Sequence, residues 1–207
     1  MVNYYKIGAH CLKWPDRESF REWWQLFKLG LPTYLLQVFQ FIAIEAVIIL
    51  TGYVSTKVLV ANVALINVLY LVGLYGSSLQ IVCSALIGNK VGERSVDGTR
   101  NMIQATVFLF AVLTILGLIV FHITTWKYTN QEMLIMYPAV SLTLVTTTLC
   151  ILMITILIGL GLQEGTTLAN LLSFLVLGIP LSCYLTFYIG WIYYGPWLGL
   201  ATANLFN

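Results

Sequence analysis

Long apolar stretches without a charged side chain decide what this chain can fold into. They cover residues 29–44, 58–89, 101–126, 133–163 and 165–207. A helix needs roughly 20 mainly apolar residues to cross the hydrocarbon core of a bilayer. Charged residues make up only 9% of the chain, whereas a soluble domain carries about 25%. The sequence therefore predicts an integral membrane protein.

The expected fold class is all-α, a polytopic transmembrane helix bundle, because a helix satisfies its own backbone hydrogen bonds in lipid. We predict a cytoplasmic N-terminal segment over 1–27 and a transmembrane bundle over 28–207. Five helices are expected to be complete and a sixth truncated. Their predicted ranges are 28–51, 58–86, 102–125, 133–158, 166–190 and 196–207.

The distribution of lysine and arginine predicts the orientation. Eight of the ten basic residues precede the first predicted helix or follow the second, and only Lys57 and Lys127 fall on the other side. Basic loops favour the cytoplasm, so the N-terminus is expected there. No cleavable signal peptide is expected, because residues 1–28 are rich in charge and lack an apolar core. Residues 14–28 suit either an amphipathic lead-in helix or a plain juxtamembrane linker.

Glu45 is the clearest sign of function in the sequence. It lies about 17 residues into the first predicted helix, where a charged carboxylate is costly unless it is neutral, paired or directed into a wet cavity. It is either a proton or cation site or a protonated glutamate that only joins helices. Gln37 and Gln40 lie about 80° and 140° around the helix from Glu45. The three share one cavity only if the helix bends or the cavity wraps around it.

Two polar stripes at helical spacing could line the same cavity, or could serve only as hydrogen-bonding contacts between helices. The first is Asn67, Tyr70, Leu74 and Ser77, and the second is Thr143, Thr147 and Cys150.

Glycine, proline and aromatic positions predict local features of the bundle. Pro32 is expected near the start of the first helix, and Pro180 is expected to kink the fifth. Residues 87–100 are predicted to form a short cytoplasmic loop in which Gly88 and Gly92 permit a sharp reversal. Residues 191–197 are predicted to form an aromatic turn at the outer interface.

Motifs of enzymes and metal sites are absent from the sequence. It contains no glycine-rich nucleotide-binding pattern, no HExxH and no CxxC, and its four cysteines are scattered. We expect the cysteines to be small core residues. The prediction is a protein that is not an enzyme and holds no metal.

Four short segments resemble signatures of the multidrug and toxic compound extrusion (MATE) family of eukaryotic type. They are LGLPTYLL at 29–36, QFIAIE at 40–45, IGNKVG at 87–92, and GLGLQ at 159–163 with a later asparagine and LGIP at 177–180. They are similar to the opening of the family's seventh helix, its EWWxxE motif, its VGNxLGA signature, and its RGxGxQ and N…GLP segments. The matched structural positions are Pro32, Gly88, Asn89, Gly92, Gly159, Gly161, Gln163, Asn170 and Pro180.

The resemblance covers the C-terminal six-helix lobe, from about Trp14 to Asn207. It implies half of a twelve-helix antiporter that exports organic cations and other xenobiotics in exchange for H+ or Na+. The implied partners are the lipid bilayer, a small organic substrate such as an organic cation, and a second lobe or a second copy. No cofactor beyond the coupling ion and no nucleic acid is expected. The implied ion-coupling and substrate-binding residues are Glu45, Gln40, Asn67, Tyr70 and Thr147.

Several positions depart from the family pattern. Glutamates of the family fall at Gln40, Asn67 and Thr147 here, and its RGxGxQ arginine falls at Ile158. The three glutamate changes remove negative charge, so they weaken the expectation of a standard organic-cation site. They leave Glu45 as the one candidate proton carrier.

Three functions remain open at this point. The leading hypothesis is a lobe of a proton- or sodium-coupled antiporter, since alternating access needs two bundles around a central site. The second is a non-transporting membrane fragment or subunit that needs a partner. A channel or an intramembrane enzyme is the third, but the sequence shows neither a repeated filter nor a second catalytic group near Glu45.

Overall fold

The computed structural model describes residues 23–127 and 131–207, and the regular structure within them is helical. Four long helices come first: α1 (Trp23–Val54), α2 (Thr56–Gly92), α3 (Val96–Lys127) and α4 (Gln131–Gly159). A fifth rod joins α5 (Gln163–Leu171), a π-helical segment (Leu172–Gly178), α6 (Ile179–Cys183) and a second π-helical segment (Tyr184–Tyr188). The last helix is α7 (Gly195–Phe206). The predicted all-α helix bundle is confirmed.

Several of these helices are long and apolar enough to cross a membrane. The spans are Thr56–Gly92, Val96–Trp126, Gln131–Gly159 and Gly165–Tyr188, and a shorter apolar segment runs over Gln37–Tyr53 of α1. Their surfaces carry many exposed leucine, isoleucine, valine and aromatic side chains. Exposure of such side chains is unfavourable in water and favourable in contact with lipid tails. The chain is therefore an integral membrane protein.

The connection between α2 and α3 differs from the predicted loop over 87–100. Both helices continue into it, so Gly88 and Gly92 are helical and only residues 93–95 lie between the helices. Arg94 makes the reversal instead, with a positive φ of 55°. The Arg94 N–H donates to the Val91 carbonyl and the Ser95 N–H to the Lys90 carbonyl. The prediction was wrong because charged residues mark the membrane surface, where a helix has no need to end.

The first helix also begins earlier than its apolar stretch. α1 starts at Trp23, so Pro32 lies inside the helix and not near its start. Most of the predicted amphipathic lead-in, residues 14–22, lies outside the described residues, and Trp23 to Lys28 are continuous with α1.

The fifth rod changes its helical geometry around Pro180. α6 contains this proline and is flanked on both sides by the π-helical segments. Proline has no N–H to donate and its ring clashes with the carbonyl four residues earlier, so it removes a hydrogen bond and strains a regular α-helix. A π-helical turn is one way in which a helix absorbs such an interruption. The helical geometry therefore changes around Pro180, and the predicted kink stays a prediction.

The fourth helix occupies the centre of the bundle. α4 packs against α2, α3, α5 and α7, while α1 packs against α2 and α5. Where α2 meets α4, Gly88 and Gly159 face each other so closely that a methyl group on Gly159 would lie 2.8 Å from Cβ of Ile87. Small residues allow helices in lipid to approach in this way. Two segments of the family signature thus meet at one helix contact.

Candidate functional site

A half-open cavity of about 490 Å³ lies among the helices. It is lined by residues of α1, α2, α4 and α7 and by Phe174 of the first π-helical segment. Its polar lining consists of Gln37, Gln40, Tyr70, Ser77, Gln80, Thr143, Thr147, Thr148 and Asn204. Aromatic rings and aliphatic side chains supply the rest, and Gly73 and Gly76 leave room for the cavity along α2.

The lining of the cavity is uncharged. Of the described side chains that border it, none is an aspartate, glutamate, lysine, arginine or histidine. Its polar groups are amides, hydroxyls and the Tyr70 phenol. Such groups bind by hydrogen bonding and cannot balance a full charge.

Three of the five predicted site residues meet at this cavity. Gln40 from α1, Tyr70 from α2 and Thr147 from α4 all line it. The Phe41 ring lies 6.4 Å from the Tyr70 ring, between their centroids, where α1 and α2 meet. The structure therefore brings residues from three distant parts of the sequence to one space.

Glu45 and Asn67 do not line the cavity. Both side chains are exposed on the outer surface of the bundle. Glu45 still lies close to the cavity, because Phe41 one turn earlier on α1 borders it. Glu45 is thus at the edge of an otherwise uncharged space.

Hydrogen bonds between α4 and α7 use part of the predicted threonine stripe. The Thr143 hydroxyl donates to the Trp197 carbonyl over 3.1 Å, and the Asn204 amide donates to Thr147 Oγ1 over 2.8 Å. Cys150 accepts from the amide of Asn207 at 3.0 Å. Both interpretations of this stripe therefore apply, because Thr143 and Thr147 form hydrogen bonds between helices and also border the cavity.

Trp197 is a cavity residue that the sequence reasoning placed elsewhere. The predicted aromatic turn at the interface included it, but Gly195 and Pro196 start α7 and Trp197 is only 1% exposed. Its indole Nε1 has no hydrogen-bond partner among the described residues. The predicted range of the last helix, 196–207, already included Trp197, in keeping with the preference of proline for the first turn of a helix. What the prediction missed is that the Trp197 side chain is buried.

Asn204 and Gln80 were also missed. Asn204 follows Trp197 and Leu200 at helical spacing, and all three border the cavity. That spacing could have identified the inner face of α7, but only the packing of α7 on α4 shows which face is inside.

The motif residues outside the cavity have structural positions. Gly161 has a φ of 81° and closes the turn after α4, a conformation that favours glycine. The Gln163 carbonyl accepts from the hydroxyls of Thr166 and Thr167 at the start of α5. Asn170 is completely buried, and Asn89 is exposed on the last turns of α2.

The described cysteines are free thiols. Cys83 and Cys150 are buried and Cys183 is half-buried, while Cys11 lies outside the described residues. Within the ranges that the structure covers, no group of three or more His, Cys, Asp or Glu side chains could hold a metal ion.

Comparison with known proteins places the chain beside drug-export proteins. Protein DETOXIFICATION 49 of Arabidopsis thaliana is 26% identical over 90% of this chain and 39% of its own length. Multidrug and toxin extrusion protein 2 of Homo sapiens is 23% identical over 92% of this chain and 34% of its own. Multidrug resistance protein NorM of Aliivibrio fischeri is 31% identical over 85 residues.

These relatives are longer than this chain, which spans about two fifths of the first of them. No family model matches the chain. The predicted resemblance is nevertheless confirmed: over about nine tenths of its length, the chain is similar to proteins of the multidrug and toxin extrusion type.

Proposed function

We propose that this chain is one helical lobe of a membrane transporter that exports small organic solutes in exchange for protons or sodium ions. The names of the relatives, a multidrug resistance protein and a multidrug and toxin extrusion protein, support the class of activity. The cavity between the helices of this chain supports the position proposed for the bound solute.

The observation that carries the proposal is the cavity among the membrane-spanning helices. Its volume of about 490 Å³ lies within the usual range of roughly 300–1,000 Å³ for small-molecule sites. Its walls are mostly apolar with a few polar groups from separate helices, which is the usual composition of such sites. A solute could bind there between the membrane-spanning helices.

Glu45 is the proposed coupling residue. In the sequence it is the only charged residue between positions 29 and 56, and a carboxylate at this depth of a helix is usually functional. Proton or sodium binding would neutralise it. Phe41, one turn before Glu45 on α1, borders the cavity, so this change of charge would occur close to the bound solute.

A second lobe is part of the proposal. Transporters of this kind alternate access by moving two bundles around a central site, and this chain spans only about two fifths of a relative such as DETOXIFICATION 49. The exposed carboxylate of Glu45 also needs a neighbour other than lipid. The second lobe would be either the remainder of a longer protein or a second copy, and the N-terminus would face the cytoplasm.

The alternative is a membrane subunit or fragment that does not transport by itself. The observation in its favour is the isolation of Glu45, because Gln40 and Thr147 supply neutral groups where the family pattern has acids. The same experiment separates the two proposals.

The experiment is ion-driven uptake into proteoliposomes that contain the full chain. Two labelled probes are used, the impermeant cation N-methylquinolinium and the uncharged solute nicotinamide, with an outward proton or sodium gradient. We expect uptake of at least one probe that depends on a gradient and is lost in Glu45→Gln. Glu93→Gln is the matched control, because Glu93 lies in the exposed α2–α3 turn and pairs with Lys90.

Two results would overturn parts of the proposal. Absence of gradient-driven uptake of both probes would show that copies of this chain do not form a transporter by themselves. Undiminished coupling in Glu45→Gln would leave a transporter in place but remove Glu45 as its coupling residue.

A further inference from the structure

We infer that the cavity selects uncharged, mainly apolar solutes over cations, and that the neutral amide of Gln40 sets this preference. The inference rests on the proposed function only in taking this cavity as the solute site. It names the chemical class of the solute, which differs from the organic cation that the family resemblance implies, and it names a residue that determines this class.

The composition of the lining is the first part of the argument. The surface of the cavity is mainly apolar, and its polar groups within the described residues are amides, hydroxyls and one phenol. A permanent cation would lose part of its hydration on entry and meet no anion in this lining. Cation–π contact with the rings of Phe41 and Tyr70 would offset only part of that loss. An uncharged apolar solute loses little hydration and gains from the burial of its surface.

The acidic residues of the described chain lie elsewhere. Glu45 is exposed on the outer surface of the bundle and does not line the cavity. The other acids stand at the ends of helices, and they are Glu93, Asp97, Glu132 and Glu164. No carboxylate of the described residues therefore borders a solute in the cavity.

The position of Gln40 on α1 places its side chain at the cavity. Gln37 one turn before it, Ile44 one turn after it and the adjacent Phe41 all border the cavity, as Gln40 itself does. Residues three and four positions apart share one face of a helix, so Gln40 is in the middle of the face that lines this space. It is only half-buried, and its amide forms no hydrogen bond with another described residue. The amide is therefore available to a solute.

The chemistry of this side chain explains the preference. A glutamine and a glutamate have nearly the same size, but the carboxylate of a glutamate would add a negative charge to the lining and attract a cation. The amide of Gln40 leaves the lining neutral. It can still donate a hydrogen bond to an uncharged solute or accept one from it.

The first test compares two probes that differ in one methyl group and one charge. Quinoline is uncharged at neutral pH and its ring nitrogen accepts a hydrogen bond, whereas N-methylquinolinium is a permanent cation without that acceptor. Equilibrium binding of each labelled probe is measured to the full chain in lipid nanodiscs, with empty nanodiscs subtracted. We expect the wild-type protein to bind quinoline at least about tenfold more tightly.

Two variants examine the role of the Gln40 amide. Gln40→Glu keeps the size of the side chain and adds a negative charge to the lining, so we expect N-methylquinolinium to bind about tenfold more tightly than to the wild type. Quinoline should not bind more tightly. Gln104→Glu is the matched control, because Gln104 is exposed on α3 and no described residue of α3 borders the cavity. Its affinity for both probes should equal that of the wild type.

The wild-type comparison requires no substitution, so it decides even if Gln40→Glu fails to fold. Equal or tighter binding of N-methylquinolinium by the wild type, or no binding of either probe, would overturn the inference. An unchanged cation affinity in a folded Gln40→Glu protein, or an equal gain in Gln104→Glu, would overturn the role of Gln40. Because no ion gradient is present, a quinoline preference without gradient-driven uptake would contradict only the proposed function.

Discussion

Asn204 on α7 donates a hydrogen bond to Oγ1 of Thr147 on α4, across 2.8 Å and 57 positions of sequence. Thr147 is one of the residues at which the family pattern has a glutamate, and both residues border the cavity. The contact explains how a neutral residue can occupy that position, since a hydroxyl accepts an amide hydrogen bond without a buried charge. Because the same hydrogen bond joins two helices, this part of the cavity wall also contributes to the stability of the bundle.

A double-mutant cycle measures this contact. Thr147→Val and Asn204→Leu each remove one partner, and the coupling free energy of the pair is expected to be about 0.6 kcal/mol, as for other hydrogen bonds between membrane helices. The measurement is reversible unfolding of the four proteins in bicelles. Strictly additive losses of stability would show that the bond contributes nothing.

The helical rods were predictable from the sequence, but their ends were not. Apolar stretches such as 101–126 locate a helix, because lipid demands that its backbone be bonded internally. α3 nevertheless runs over Val96–Lys127, since charged residues at the membrane surface continue a helix as readily as they end it. The turn at Arg94 depends on a positive φ in a non-glycine residue, which no sequence pattern predicts.

Close contact at Gly159 gives the second prediction. A Cβ atom there would lie 2.8 Å from Cβ of Ile87 and 3.1 Å from the Ser84 carbonyl oxygen. We expect Gly159→Ala to destabilise the bundle by about 1–3 kcal/mol, because the backbones of α2 and α4 must separate. The readout is the free energy of unfolding in bicelles.

Gly165→Ala is the control for that substitution. A Cβ atom at Gly165 would meet nothing within 4 Å, so its effect should be neutral or stabilising by up to about 1 kcal/mol. An equal loss of stability in both variants would show that close packing of α2 on α4 is not the cause.

The candidate site was partly predictable. Helical geometry predicted that Gln37, Gln40 and Glu45 would share one cavity only if the helix bent or the cavity wrapped around it. In the structure both glutamines border the cavity while Glu45 is exposed. The contribution of α7 was not foreseen. Which face of a helix is inside depends on its neighbours, and all faces of α7 are apolar enough for lipid.

The end of the bundle where Tyr193 and Glu132 lie gives a prediction for pH. A hydrogen bond from the Tyr193 phenol to Glu132 raises the pKa of Tyr193 above its ordinary value, with burial adding to the effect. The stability that this contact contributes is fully present below the ordinary tyrosine pKa of about 10. It is lost as the pH rises through the higher pKa of the folded protein.

The expected result is a fall in Tm of the wild-type protein above about pH 10 that is smaller in Tyr193→Phe. Tyr53→Phe is the control, since Tyr53 is 79% exposed, and it should follow the wild-type curve. Parallel curves for the wild type and Tyr193→Phe would contradict the role of this contact.

The central claim, that the cavity is where the solute binds during transport, is tested most directly at Gly73. This glycine borders the cavity, and an added Cβ would meet nothing within 4 Å, so Gly73→Leu should fill the space without disturbing α2. The control is Gly30→Leu on α1, which has equal room and lies outside the cavity. The measurement is the initial rate of gradient-driven uptake into proteoliposomes. The account predicts that Gly73→Leu lowers the rate by about tenfold or more and that Gly30→Leu leaves it unchanged. A wild-type rate of uptake in a folded Gly73→Leu protein would contradict it.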